Sequence, residues 1–102
     1  MIITKNGKIE GLPYTAMKKE AGMWRNLLVC RVDKNNIDTD LLSLFLTDYI
    51  EDDTIGVRWD NTQFVKVAAD SYYKYVWLTY TSQASIVDSY EEALNVLGVE
   101  TQ

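Results

Sequence analysis

Five aromatic side chains fall within nine residues between Tyr72 and Tyr80, in the order Tyr-Tyr-Lys-Tyr-Val-Trp-Leu-Thr-Tyr. Their chemistry is recognition: rings that bury area while a hydroxyl or indole N–H stays available to a partner. In an extended strand Tyr73, Tyr75, Trp77 and Thr79 share one face, and Tyr72, Lys74, Val76, Leu78 and Tyr80 share the other. A second constellation is acidic and consists of Asp48, Glu51, Asp52 and Asp53. Such a patch could dock a basic partner, or imitate nucleic-acid phosphates and block an enzyme that acts on them. A metal site is not expected there, because adjacent acids lack the alternating spacing that wraps Ca²⁺ or Mg²⁺. The run Asp33-Lys-Asn-Asn-Ile-Asp-Thr-Asp fails as a calcium loop too. Asp38 stands where the turn glycine belongs, and Leu44 stands where the bidentate glutamate belongs.

Bond-making chemistry finds little support. The chain has no histidine, which removes the usual general base near neutral pH and every histidine-containing metal site. Cys30 is the single cysteine, so it can form neither a thiolate zinc site nor an intrachain disulfide, and in an apolar stretch it reads as an inert core thiol. The glycines at 7, 11, 22, 56 and 98 are scattered and make no phosphate-cradling loop. Solvated acids would lack the raised pKa that acid–base work needs. We therefore expect no enzyme, cofactor or metal.

The charge balance narrows the partners. Residues 1–34 carry seven Lys or Arg against three acids, a net +4, and residues 35–102 carry three against twelve, a net −9, which sum to −5. An acidic total disfavours broad nucleic-acid binding, which draws its affinity from basic excess. With 102 residues, 47% apolar and a single proline, the composition is that of one folded domain. The first residues lack the apolar core of a signal peptide, and Leu41–Leu46 is too short to span a bilayer, so a cytoplasmic protein without membrane insertion is expected.

The elements that would position these groups suggest an α+β fold. Asn6-Gly7 between Ile-Ile-Thr-Lys and Lys-Ile-Glu predicts an N-terminal hairpin with a type I′ turn. Tyr14, Met17 and Ala21 fit one face of a short helix over 13–21, with Gly22 as its cap, followed by a strand near 25–32. One continuous helix through 14–32 is the alternative. Two main helices are expected at about 38–50, capped by Asp38 with Ile37 stapled on Leu42, and at 89–97, opened by Ser89 and Glu92 and closed by Gly98. Between them, a three-stranded meander over 55–80 would pair Val57 with Val65 and Val65 with Val76. One face then gathers Ile55, Val57, Trp59, Val65, Val67, Val76 and Leu78 as core. The opposite face gathers Arg58, Phe64, Lys66, Tyr73, Tyr75 and Trp77, with Phe64 opposite Trp77 and Lys66 opposite Tyr75.

That aromatic and cationic face either lies under another element or is open, and an open patch of Tyr, Trp and Arg has the composition of an interface hot spot. Three functional classes follow. The first is a non-enzymatic module that binds a protein partner through the aromatic face or the acidic helix end. The second is an acidic nucleic-acid mimic, compatible with a virus- or mobile-element-encoded inhibitor. The third is a structural subunit that assembles into a homo-oligomer. Single-stranded nucleic acid stacked on Tyr75 and Trp77 is a minority case, because only Arg58, Lys66 and Lys74 are near to form a basic groove.

Overall fold

A computed structural model describes residues 1–34 and 40–86. Of these, 65% lie in strands and 7% are helical, which overturns the α+β expectation in favour of a mostly β fold. The order is β1 (Ile2–Thr4), β2 (Gly7–Ile9), β3 (Gly11–Glu20), β4 (Met23–Asp33), α1 (Leu41–Phe45), β5 (Tyr49–Asp52), β6 (Val57–Asp60), β7 (Gln63–Ala69), β8 (Tyr73–Thr79) and β9 (Ser82–Ser85). The strands form two antiparallel sheets: five strands in the order β2-β1-β5-β6-β9, and four in the order β3-β4-β8-β7. Both sheets turn one face to a shared core. Ile2, Ile9, Ile50 and Trp59 enter from the first, Leu28, Cys30, Val32, Val76 and Leu78 from the second, and Leu41, Leu44 and Phe45 from α1. The smallest dimension, 21 Å, suits two sheets about 10 Å apart with their side chains.

The expected helix over 38–50 shrinks to five residues for an identifiable reason. It is capped by Asp40, whose carboxylate accepts from the Ser43 amide at 3.3 Å and the Ser43 hydroxyl at 2.7 Å; Asp38 lies outside the described residues. Its end is held from the first hairpin. Asn6 Nδ2 donates to the Ser43 and Leu46 carbonyls at 2.8 Å each, and Thr4 Oγ1 donates to the Leu44 carbonyl at 2.9 Å. Those carbonyls would otherwise bond amides of a following helical turn. Instead Tyr49–Asp52 pairs with β1 on one side and β6 on the other. The expected helix at 89–97 lies outside the described residues.

Residues 13–20 are strand and Ala21 opens a turn, so the short helix over 13–21 and the continuous helix through 14–32 are both excluded. Glu20 pairs with Met23 across Ala21 and Gly22, whose φ angles of 52° and 81° are those of a two-residue type I′ turn. Gly22 thus closes a hairpin where a helix cap was expected. The N-terminal hairpin is present, but its turn is Lys5-Asn6 with Thr4 opposite Gly7, so Asn6 does not need positive φ. At Gly11 the chain enters the second sheet so tightly that a Cβ would sit 2.7 Å from the Arg31 carbonyl oxygen.

The meander is also corrected. β7 and β8 pair, but β6 belongs to the other sheet, between β5 and β9. The chain changes layers at Asn61, with φ 54°, and at Thr62, which is buried and donates its hydroxyl to the Thr47 carbonyl at 2.7 Å. Trp59, Val76 and Leu78 are core as expected. Ile55, Val65 and Val67 are exposed.

Candidate functional site: the outer face of the four-stranded sheet

Alternation along β8 sends Val76 and Leu78 into the core, both fully buried, and Tyr73, Tyr75, Trp77 and Thr79 to the outer face of the sheet. Pairing extends that face across its neighbours. On β4, Leu27, Val29 and Arg31 lie opposite Thr79, Trp77 and Tyr75, and on β3, Ala16, Tyr14 and Leu12 lie opposite Leu27, Val29 and Arg31. Val29 is 0% and Leu27 7% exposed, although both sit on the side away from the shared core. The outer face therefore closes over its own small apolar layer, with Val29 directly flanked by Tyr14 and Trp77.

The rings of this face are already engaged with one another and with cations. The Arg31 guanidinium sits 4.3 Å from the centre of the Tyr73 ring, and the Lys66 ammonium 5.2 Å from that of Trp77. Tyr73 meets Tyr75 edge-on, with centroids 6.4 Å apart. Tyr75 donates its hydroxyl to Asp70 Oδ2 at 2.7 Å, while Asp70 Oδ1 accepts from the Tyr72 and Tyr73 amides. The Tyr75 hydroxyl first, and those amides second, hold the Asp70 carboxyl below its ordinary pKa; the same bond raises that of Tyr75.

At one end of the face, β3 and β4 continue past the end of β8 as a two-stranded arm, since β8 pairs with β4 only from Leu27 to Asp33. At its root lies a groove of about 280 Å³, lined by Lys18, Glu20, Arg25, Leu27, Val65, Lys66, Trp77 and Thr79. Three cations face one acid. Arg25 and Glu20 approach at 3.4 Å with both side chains about half exposed, a geometry of little energetic weight. Trp77 Nε1 is sealed from solvent without a hydrogen-bond acceptor among the described residues. A donor left so costs about 1–3 kcal/mol of desolvation.

Of the residues singled out in sequence, Lys66, Tyr73, Tyr75 and Trp77 do come together. The register differs, because a bulge at Val65 sets Phe64 opposite Leu78 and Lys66 opposite Trp77. Phe64 consequently turns inward and packs against the core. Arg58 lies on the outer face of the five-stranded sheet, bonded to Glu51 at 2.8 Å and Asp60 at 2.9 Å and stacked 4.3 Å from the Tyr49 ring. Tyr14, Lys18, Arg25, Leu27 and Val29 belong to the site and were missed. The signal was the alternation through 11–20 and 23–33, hidden by apolar spacings that also fit a helix.

The acidic cluster is not a helix end. Glu51 is paired with Arg58, while Asp52 points inward, 1% exposed, and accepts from the Thr54 amide at 2.7 Å. Asp53 accepts from the N-terminal ammonium at 3.0 Å, which lowers its pKa and raises that of the amine; Asp48 is exposed. No metal-binding cluster occurs among the described residues. Cys30 is fully buried, and desolvation first, then nearby Asp52, drives its thiol pKa far up, so it is not a nucleophile. Among the described residues no helix is long and apolar enough to cross a membrane.

Comparison with protein-family models, with curated proteins and with solved structures finds no match for this chain.

Proposed function

We propose that the protein is a small cytoplasmic, non-enzymatic interaction module that binds a protein partner through the outer face of its four-stranded sheet. The observation that carries this reading is the groove at the arm root, where Lys18, Arg25 and Lys66 gather around a tryptophan whose indole N–H has no acceptor among the described residues. Tryptophan, tyrosine and arginine in one contiguous face are the residue types that anchor partners. The absence of histidine from the sequence and the buried, strongly protonated Cys30 speak against catalysis. The nucleic-acid-mimic reading gains no support, because Glu51, Asp52 and Asp53 are each committed to an internal partner.

A photo-crosslinking residue placed at Ala68, opposite Tyr75 on this face, tests the proposal against one placed at Lys8 in the other sheet. A discrete adduct with a partner from the native host at Ala68 and none at Lys8 is the expected result. The reverse pattern would move the interface to the five-stranded sheet. Self-association is a second reading, favoured by the arm, where Met17, Met23 and Trp24 are 63%, 71% and 62% exposed. Light scattering that gives a monomer at micromolar concentration would remove it.

A further inference from the structure

The geometry points to a carboxylate-binding site at the root of the β3–β4 arm, whose occupant is an acidic, extended segment of the protein partner. This rests on the outer-face reading above and adds the chemistry of the ligand. Lys18 has no ion-pair partner among the described residues, and Lys66 rests only against the Trp77 ring, 5.2 Å away. Arg25 has only its long, solvent-exposed approach to Glu20, which a better-placed carboxylate displaces. Three donors of positive charge therefore converge on one groove in a protein whose net charge is −5.

The Trp77 indole N–H supplies the fourth donor. Trp77 lines the same groove, and its N–H, sealed in the free protein, has no acceptor among the described residues. When the flexible Lys66 side chain swings from the ring onto a ligand carboxylate, a ligand oxygen or backbone carbonyl reaches the N–H. The bond made there recovers what the sealed donor loses in the free protein.

The same features select against nucleic acid. Base stacking needs open ring faces beside a basic track. Here Arg31 already covers the Tyr73 ring, and about 280 Å³ accommodates a few side chains rather than a row of bases.

The test follows the three indole N–H resonances of ¹⁵N-labelled protein by NMR, with Trp77 assigned from its loss in Trp77→Phe. The probes are a short synthetic peptide alternating glutamate and threonine, its glutamine counterpart and a single-stranded oligothymidylate. With the glutamate peptide, the Trp77 resonance is expected to move downfield while that of Trp59, already donating to Gln83 Oε1 at 3.1 Å, stays in place. Trp77→Phe and Lys66→Gln should each weaken binding about tenfold, and Arg58→Gln should not change it. Circular dichroism checks that each variant folds. Trp77→Phe should be no less stable than the parent, because the donor it removes is unpaired in the free protein, so weaker binding by this variant is not a loss of fold. Equal binding of the glutamine peptide, a Trp77 resonance that moves only with oligothymidylate, or no movement at all would overturn the assignment. If adducts still form at Ala68 while the glutamate peptide fails, only the carboxylate chemistry is wrong; if both fail, the face itself is wrong.

Discussion

The two outer faces of this sandwich use the same residue types to opposite ends. On the five-stranded sheet, Arg58 stacks on Tyr49 and closes ion pairs with Glu51 and Asp60, so its charge is met within the molecule. On the four-stranded sheet, Arg31 stacks on Tyr73 and Lys66 on Trp77 in the same way, but Lys18 and Lys66 have no ion pair among the described residues and the Trp77 N–H has no acceptor. A cation over a ring is therefore no mark of a site by itself. The distinction lies in whether the surrounding carboxylates complete the network. One face is finished by folding, and on the other Lys18, Lys66 and the Trp77 N–H stay without such partners among the described residues.

Matched substitutions sharpen this contrast. Val29 and Ile3 both lie on outer faces, but Val29 is fully buried beneath its neighbours and Ile3 only partly. Val29→Thr places an unpartnered hydroxyl in that small apolar layer and should cost about 1–3 kcal/mol, read from denaturant unfolding. Ile3→Thr should cost under about 1 kcal/mol. Equal costs would mean that the outer apolar layer does not hold the sheet. On the closed face, Arg58→Met should lose about 1 kcal/mol, since its pairs are partly exposed, and leave glutamate-peptide binding intact. Loss of binding there would break the division of labour.

Two smaller effects concern the arm and the turn beside Tyr75. Ala21 sits at φ 52°, which a Cβ disfavours, so Ala21→Gly should stabilise the protein by about 0.5–1 kcal/mol and slow amide exchange along the arm. A destabilised variant would show that the turn needs its side chain. Asp70 has a depressed pKa in the folded state, so its contribution is fully present above the ordinary carboxylate value and is lost as pH falls through the lower folded one. Acidification through that window should release the Tyr75 hydroxyl and speed exchange of the Tyr72 and Tyr73 amides, without global unfolding. Asp70→Asn should abolish that pH dependence.

Part of the fold was legible in the chain. Period-two alternation in 73–79 identifies the strand and its two faces, because a strand's faces depend on nothing beyond its own extended backbone. Richness in Leu and Val places a strand near 25–32, and the Asn6-Gly7 turn signal places a hairpin in the first ten residues. Periodicity failed where two periods fit one segment: Tyr14, Met17 and Ala21 satisfy a helix, and the Ala21-Gly22 turn that makes them a strand is unusual for its alanine. It failed again at 46–50, where Leu46, Tyr49 and Ile50 fit the apolar face of a continuing helix. There Thr4 and Asn6, forty residues away in sequence, bind the carbonyls that end it.

The sequence by itself determined the material of the site: an aromatic strand with lysines near it, no histidine, and one cysteine. Only the tertiary structure decided which of these residues meet. Register and layer are set by long-range pairing, so the bulge at Val65 moves Lys66 from Tyr75 to Trp77, and the crossing at Asn61 sends Arg58 to the far sheet. The physical reason is that a side chain's face is fixed by its own backbone, whereas its neighbours on that face belong to strands brought together by closure of the common core. Hence Lys18 and Arg25, remote in sequence from Trp77, share its groove, and Phe64, close to it in sequence, does not.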